Sequence, residues 1–286
     1  MDLCNIAHIK ALLARHGFRF SKSMGQNFLT SAWVPEEIAE AAGLSEETCV
    51  LEIGPGIGCL TEQLSARAAK VVSVELDKAL LPILKETLHE CENVTVVHAD
   101  ILELDMDQLI AEHFMNLRPV VCANLPYNIT TPVLTKLIDT GHFAQITVMI
   151  QREVAKRFCA KAGSKDYGAI SLYMEYHTEA ALLFDVPPDS FIPAPQVHSS
   201  VITLKKREKP PVDVCAKALF RVVKAAFAQR RKTLVNCLMS TFGKLEKDEV
   251  YIIIEELGLP EKVRGEVLTL AQFAALTKAL QARDIL

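Results

Sequence analysis

The chain has no run of about 18 uncharged apolar residues, which excludes a membrane-spanning helix. Lys10 and Arg15 interrupt its N-terminal apolar stretch, and the three-part pattern of a secretory signal is missing, so the expected compartment is the cytoplasm. It also lacks paired cysteines. No two of the eight lie within five residues of each other, which excludes a C-x-x-C metal or redox site. Most sit in apolar strings such as Val120-Val121-Cys122-Ala123 and are expected to be reduced, buried thiols. The histidines show neither H-E-x-x-H nor H-x3-H spacing on a helix, so no metal is expected. Internal repeats are absent as well.

What is present describes an ordinary globular protein. Of 286 residues, 50% are hydrophobic and 23% charged, enough chain for one large domain or a large and a small one. Net charge is −4, but it is segregated: residues 3–35 carry +4, residues 203–232 carry +8, and the remainder carries −16. Such segregation fits a local phosphate-binding surface on an acidic body, and equally a pair of solvated helix faces and a linker.

Residues 5–16 place Ile6, Ile9, Leu12 and Leu13 at helical spacing, and residues 17–30 are rich in turn formers. From residue 49, short β-branched runs (49–53, 70–76, 94–99, 120–124, 146–150) alternate with helical patterns (60–67, 79–90, 106–114, 132–141). This alternation predicts βαβ units: an α/β, Rossmann-like parallel sheet with helices on both faces. A further helix over 153–162 and strands over 180–186 and 199–204 follow. Lys205-Lys206-Arg207-Glu208-Lys209-Pro210-Pro211 then reads as a linker. Only helical patterns lie beyond it: 214–228, 233–242, 247–257 and 270–282. The expected domains are 1–205 and a small all-helical 206–286.

The first strand of the alternation runs into Glu52-Ile53-Gly54-Pro55-Gly56-Ile57-Gly58-Cys59. Alternate glycines such as Gly54 and Gly56 between strand and helix let backbone approach a nucleoside. Glu75, at the next strand end, is placed to accept both ribose hydroxyls, and Asp100, after the third, to accept from an adenine amino group or to cap the following helix. A dinucleotide needs G-x-G-x-x-G, and Cys59 stands at its third glycine. E-x-G-x-G-x-G suits an adenosyl cofactor without phosphates, S-adenosylmethionine, and with it a class I methyltransferase sheet.

The fourth strand ends in Asn124-Leu125-Pro126-Tyr127-Asn128. An N-x-P-Y there resembles amino-group methyltransferases. Taken with Gly25-Gln26-Asn27-Phe28-Leu29, the segment Phe191-Ile192-Pro193-Ala194-Pro195-Gln196-Val197-His198-Ser199-Ser200, and Ala226-Phe227-Ala228-Gln229-Arg230-Arg231-Lys232-Thr233-Leu234, the chain resembles the KsgA (RsmA-type) family of small-subunit ribosomal RNA adenine N6,N6-dimethyltransferases. No departure falls at a motif position that the family pattern makes essential.

The resemblance implies dimethylation of two adjacent adenosines in a stem-loop near the 3′ end of 16S ribosomal RNA, in an immature 30S particle, by a monomer using S-adenosylmethionine. It implies that Asn27 and Leu29 close over the cofactor, that Gly54 lines its amino-acid end, and that Asn124 lies at the reacting methyl. The Asn124 side-chain oxygen and a backbone carbonyl near Leu125-Pro126 would accept the N–H bonds of the target amine. Tyr127 would stack on the extruded base, with Phe191 on its far face. Arg230, Arg231 and Lys232 are the candidates for holding the RNA backbone. An assembly checkpoint factor acting mainly by binding the subunit, a DNA adenine methyltransferase and a nicotinamide dehydrogenase are the competing readings.

Overall fold

A computed structural model of the chain describes residues 1–21, 24–229, 231–243 and 246–286. Helix α1 (Ile6–Arg15) is capped by Asn5, whose side chain accepts from the backbone of Ala7 and His8. After it come β1 (Phe28–Leu29), α2 (Trp33–Ala41), β2 (Thr48–Ile53), α3 (Cys59–Ser65), β3 (Lys70–Glu75), α4 (Leu81–Thr87) and β4 (Val94–His98). The chain continues through α5 (Met106–His113), β5 (Arg118–Asn124), α6 (Thr130–Thr140), β6 (Gln145–Gln151), α7 (Arg152–Phe158) and α8 (Ala169–His177). Strands β7 (Thr178–Val186), β8 (Phe191–Ile192) and β9 (Ser199–Lys206) follow, then α9 (Ala216–Phe227), α10 (Leu234–Thr241), α11 (Lys247–Glu256) and α12 (Leu270–Gln281).

The main sheet has seven strands in the order β4-β3-β2-β5-β6-β9-β7. β4 to β6 pair parallel, and β9 runs antiparallel to β6 with Met149 opposite Val201. All six residues of β2 are buried, as a parallel strand covered on both faces must be. The chain steps outward from β2 to β3 and β4, then returns to the other side of β2 as β5. Between the carboxyl ends of β2 and β5 the connections diverge, and open α/β sheets bind ligands at such a point. A second, two-stranded sheet pairs β1 with β8, Leu29 opposite Phe191.

The chain divides into two compact units, Met1–Ala155 with Ala181–Lys206, and Lys156–Ala180 with Arg207–Leu286. The second takes in a stretch, 156–180, that composition alone groups with 1–205. The reason is apolar burial: Tyr167, Leu172 and Tyr176 share a core with Leu219, Val222 and Val223 of α9 and Phe273 of α12. Within this unit Tyr167 Oη donates to the Leu268 carbonyl at 2.9 Å. Gly265 lies so close to α9 that a Cβ there would stand 3.0 Å from Ala226.

The βαβ alternation stands as expected. Helices α2 and α8 and the short strands β1 and β8 were not expected. The buried-thiol expectation is corrected in part. Cys49, Cys59, Cys122 and Cys237 are buried, but Cys4, Cys91 and Cys159 are only partly so, and Cys215 at the head of α9 is exposed; all are free thiols. Among the described residues no helix is long and apolar enough to cross a membrane, and no three His, Cys, Asp or Glu side chains are grouped to hold a metal ion.

Candidate active site

β2 leads into a loop whose glycines are forced by geometry. Gly56 has φ +61° and Gly58 φ +94°, a region that side chains with a Cβ rarely adopt. Space adds a second constraint: a Cβ on Gly56 would lie 3.2 Å from the Phe28 ring, and one on Gly58 would lie 2.9 Å from the Leu88 side chain. A Cβ on Gly54 would stand 3.7 Å from the Pro126 ring, so the glycine loop and the β5 terminus abut. Gly25 faces the same terminus, its Cβ position 3.4 Å from Asn128 Oδ1. Three segments far apart in sequence therefore wall one cleft, of about 1110 Å³ with the solvent at its mouth included.

The cleft is acidic. Glu52 is 1% exposed and accepts 2.7 Å hydrogen bonds from Thr61 Oγ1 and Ser73 Oγ. Burial pushes its carboxyl up to about 7, against the pull of the Ser73 and Thr61 hydroxyls; the nearby Glu75 carboxylate adds to the rise. Glu75 is also raised, chiefly by burial, although backbone N–H groups of Asp77, Gly56 and Leu76 hold its charged form. Asp77 accepts from Gln26 Nε2 at 2.6 Å, which ties the 24–29 segment to the end of β3. Asp100 lines the cleft while its Oδ1 accepts from Leu102 N–H at 2.8 Å, so it also caps its own turn. Among the described lining residues none is Lys or Arg.

At the end of β5 the hydrogen bonds separate two neighbouring carbonyls. Pro126 O accepts from Ile129 N–H at 3.3 Å and from Thr130 Oγ1 at 3.2 Å, which occupies both of its lone pairs. Leu125 N–H donates to Met149 O at 3.1 Å and pins Asn124-Leu125 to β6. Tyr127 lines the cleft, and its hydroxyl shares a 2.6 Å hydrogen bond with Ser199 Oγ of β9. Burial raises the Tyr127 phenol, while the Ser199 hydrogen bond lowers it.

The expected residues Asn27, Leu29, Gly54, Gly56, Glu75, Asp100, Asn124, Leu125, Pro126 and Tyr127 are all brought to this cleft. Asn27 Nδ2 donates to the Gly25 carbonyl at 3.0 Å. Phe191 lies apart from this set. Pairing with Leu29 turns its ring into the apolar core, where it is 5% exposed and does not line the cleft. Arg231 and Lys232 are exposed in the turn before α10, and Arg230 lies outside the described residues. Sequence reasoning gave no role to Gln26, Asp77 or Ser199. Gln26 and Ser199 stood inside recognised motifs, but their partners are 51 and 72 residues away.

A parallel sheet with an acidic cleft at its switch point is the architecture of class I methyltransferases. A family model described as ribosomal RNA adenine dimethylase matches residues 17–281. The ribosomal RNA small subunit methyltransferase A of Geobacillus thermodenitrificans (strain NG80-2) is 46% identical over 284 residues, 98% of this chain and 97% of that one. The protein of the same description from Streptococcus pneumoniae (strain CGSP14) is 44% identical over 294 residues, with 100% of each chain covered. Among solved structures, the 23S rRNA methyltransferase ErmE aligns with a TM-score of 0.69 at 25% identity, over 89% of this chain and 99% of that one. A dimethyladenosine transferase from Plasmodium falciparum shares the fold, with a TM-score of 0.76 at 23% identity over 90% and 98%. The chain belongs to the ribosomal RNA adenine dimethylase family and is a methyltransferase.

Proposed function

We propose that the chain dimethylates N6 of two adjacent adenosines near the 3′ end of small-subunit ribosomal RNA, within an immature 30S particle, with S-adenosylmethionine as methyl donor. The observation that carries this reading is the placement of Asn124-Leu125-Pro126-Tyr127 against the glycine loop, Gly54 beside Pro126, in one acidic cleft. The lining suits a cationic cofactor. Glu52, Glu75, Asp77 and Asp100 supply carboxylates and no described Lys or Arg faces them, a poor environment for the pyrophosphate of a dinucleotide. Leu76, 46% exposed, and Ile101 offer apolar surface for a purine. The bound cofactor supplies an electrophilic methyl on a sulfonium.

The chain's task is to make a poor nucleophile attack. The adenine amine has its lone pair delocalised into the ring. Asn124 Oδ1 and one backbone carbonyl accept its two N–H bonds and direct the lone pair outward. Because Pro126 O is taken by Ile129 and Thr130, the Leu125 carbonyl is assigned that role. Pro126, with no N–H and a fixed φ, stiffens the turn. Tyr127 supplies a stacking face worth about 1–3 kcal/mol, held in place by Ser199. Positioning and aimed dipoles provide the rate, without metal or strong base. In the second unit, the exposed Arg231 and Lys232 are assigned to RNA phosphates, with Arg230 beside them in sequence.

The test is transfer of a labelled methyl to immature small subunits. Asn124→Ala is expected to reduce the rate by about 10²–10³, as loss of one preorganised polar partner does, with cofactor binding by calorimetry retained. Equal incorporation by both proteins would remove Asn124 from the mechanism.

A further inference from the structure

The Sγ atoms of Cys4 and Cys59 lie 2.9 Å apart, 55 residues distant in sequence, with the S–H of one directed at the other sulfur. Cys59 is the first residue of α3, follows Gly58 and lines the cleft. Cys4 lies on the turn ahead of α1, where its N–H donates to Asp2 Oδ1 at 2.9 Å. We infer that this pair is an oxidant-responsive modification site: hydrogen peroxide converts Cys4 and Cys59 into a reversible disulfide that ties the N-terminal turn to the glycine loop. The proposal does not depend on the reaction assigned to the cleft.

The chemistry has a defined order. The hydrogen bond from Cys59 lowers the Cys4 thiol below its ordinary value in spite of burial, so Cys4 supplies the thiolate. Cys59 is held protonated by that same hydrogen bond and by its own burial. The Cys4 sulfur attacks one peroxide oxygen, the O–O bond breaks, and the departing hydroxide takes up the proton released by Cys4 as water. Cys4 is then a sulfenic acid. The Cys59 sulfur displaces its hydroxyl group: the S–S bond forms, the S–O bond breaks, and the Cys59 proton leaves with a second water. Two thiols are oxidised by two electrons in total, and one peroxide is reduced to two waters.

The movement needed is small. Bonding distance is about 2.0 Å. Closing so long a loop restrains the unfolded chain, so the linked form melts higher, on the order of 5 °C or more.

The reduced protein is treated with hydrogen peroxide, capped with iodoacetamide and mapped by mass spectrometry, with exposed Cys215 as the internal control. The expected product is a peptide pair linking Cys4 to Cys59, lost on adding dithiothreitol, together with a raised and reducible melting midpoint. Cys4→Ser is expected to abolish the link without changing methyl transfer. Cys59→Ser is expected to trap Cys4 as a dimedone-reactive sulfenic acid. The inference is overturned if Cys4 and Cys59 remain fully alkylatable under peroxide that oxidises Cys215, if dimedone marks Cys59 instead of Cys4, or if the linked protein melts no higher than the reduced one.

Discussion

Glu52→Gln tests whether the buried carboxyl of the cleft behaves as its surroundings demand. Burial raises Glu52 from the ordinary 4.5 to about 7. Between those values the folded protein holds a proton that the unfolded chain has released. Folding stability from this group is therefore complete below about pH 4.5 and is lost as pH rises through about 7. A difference of about 2.5 pH units, at 1.36 kcal/mol each, comes to roughly 3 kcal/mol. Glutamine does not titrate, so the substitution removes that slope. The Thr61 and Ser73 hydroxyls can donate to its amide oxygen as they do to the carboxylate, but its new NH2 group must find an acceptor, at about 1–3 kcal/mol where none is available. The variant is therefore less stable than wild type at pH 5 and recovers roughly 2.5 kcal/mol relative to it by pH 8.

Trp33 makes the measurement specific. It is the single tryptophan, lies in the first unit and packs against Phe184 at a ring separation of 5.9 Å. Urea unfolding followed by its fluorescence reports the unit that contains Glu52. Glu75 is present in both proteins, and its rise comes chiefly from its own burial, so most of its titration is common to the two profiles. Stability profiles of the two proteins that stay parallel from pH 5 to pH 8 would refute the reasoning. A consequence for binding follows: a cationic cofactor favours ionised Glu52, so wild-type affinity for S-adenosylmethionine rises with pH across this range while that of the variant changes less.

Two other perturbations probe how the cleft is held. Ser199→Ala removes the hydrogen bond that fixes the Tyr127 hydroxyl. It is expected to lower kcat/KM for RNA roughly tenfold while calorimetry finds the cofactor Kd within about twofold of wild type; an unchanged kcat/KM would show that the tether is dispensable. Gly58→Ala places a Cβ 2.9 Å from Leu88 at φ +94°. The expected loss is about 1–3 kcal/mol of stability in the Trp33-monitored transition, accompanied by weaker cofactor binding. A variant as stable as wild type would mean that the loop relaxes freely.

Patterns that repeat locally were legible in the sequence, and contacts made across the chain were not. The buried run Thr48–Ile53 announces a parallel strand because both of its faces need apolar cover. β1 and β8 have two residues each, too few for any period, and exist only because the rest of the fold brings Leu29 opposite Phe191. Helix α8 hid for the opposite reason: Ala169-Ile170-Ser171-Leu172-Tyr173-Met174 is apolar almost throughout, so no polar face marks its turn. The Lys205–Pro211 linker is written in charge and proline, whereas the chain's other crossings between units, near 155 and 180, fall within helix and strand and leave no compositional mark.

The site divides along the same line. Strand-end motifs converge because the carboxyl ends of parallel strands share one edge, so Glu75, Asp100 and Asn124 could be placed from spacing. Orientation is another matter. A motif names Phe191 but does not reveal which way its ring turns, and the β1–β8 pairing turns it inward. Which of two adjacent carbonyls meets the substrate is equally invisible in Leu125-Pro126. Hydrogen-bond accounting supports the proposed choice of Leu125: a carbonyl has two lone pairs, and Ile129 and Thr130 claim both on Pro126.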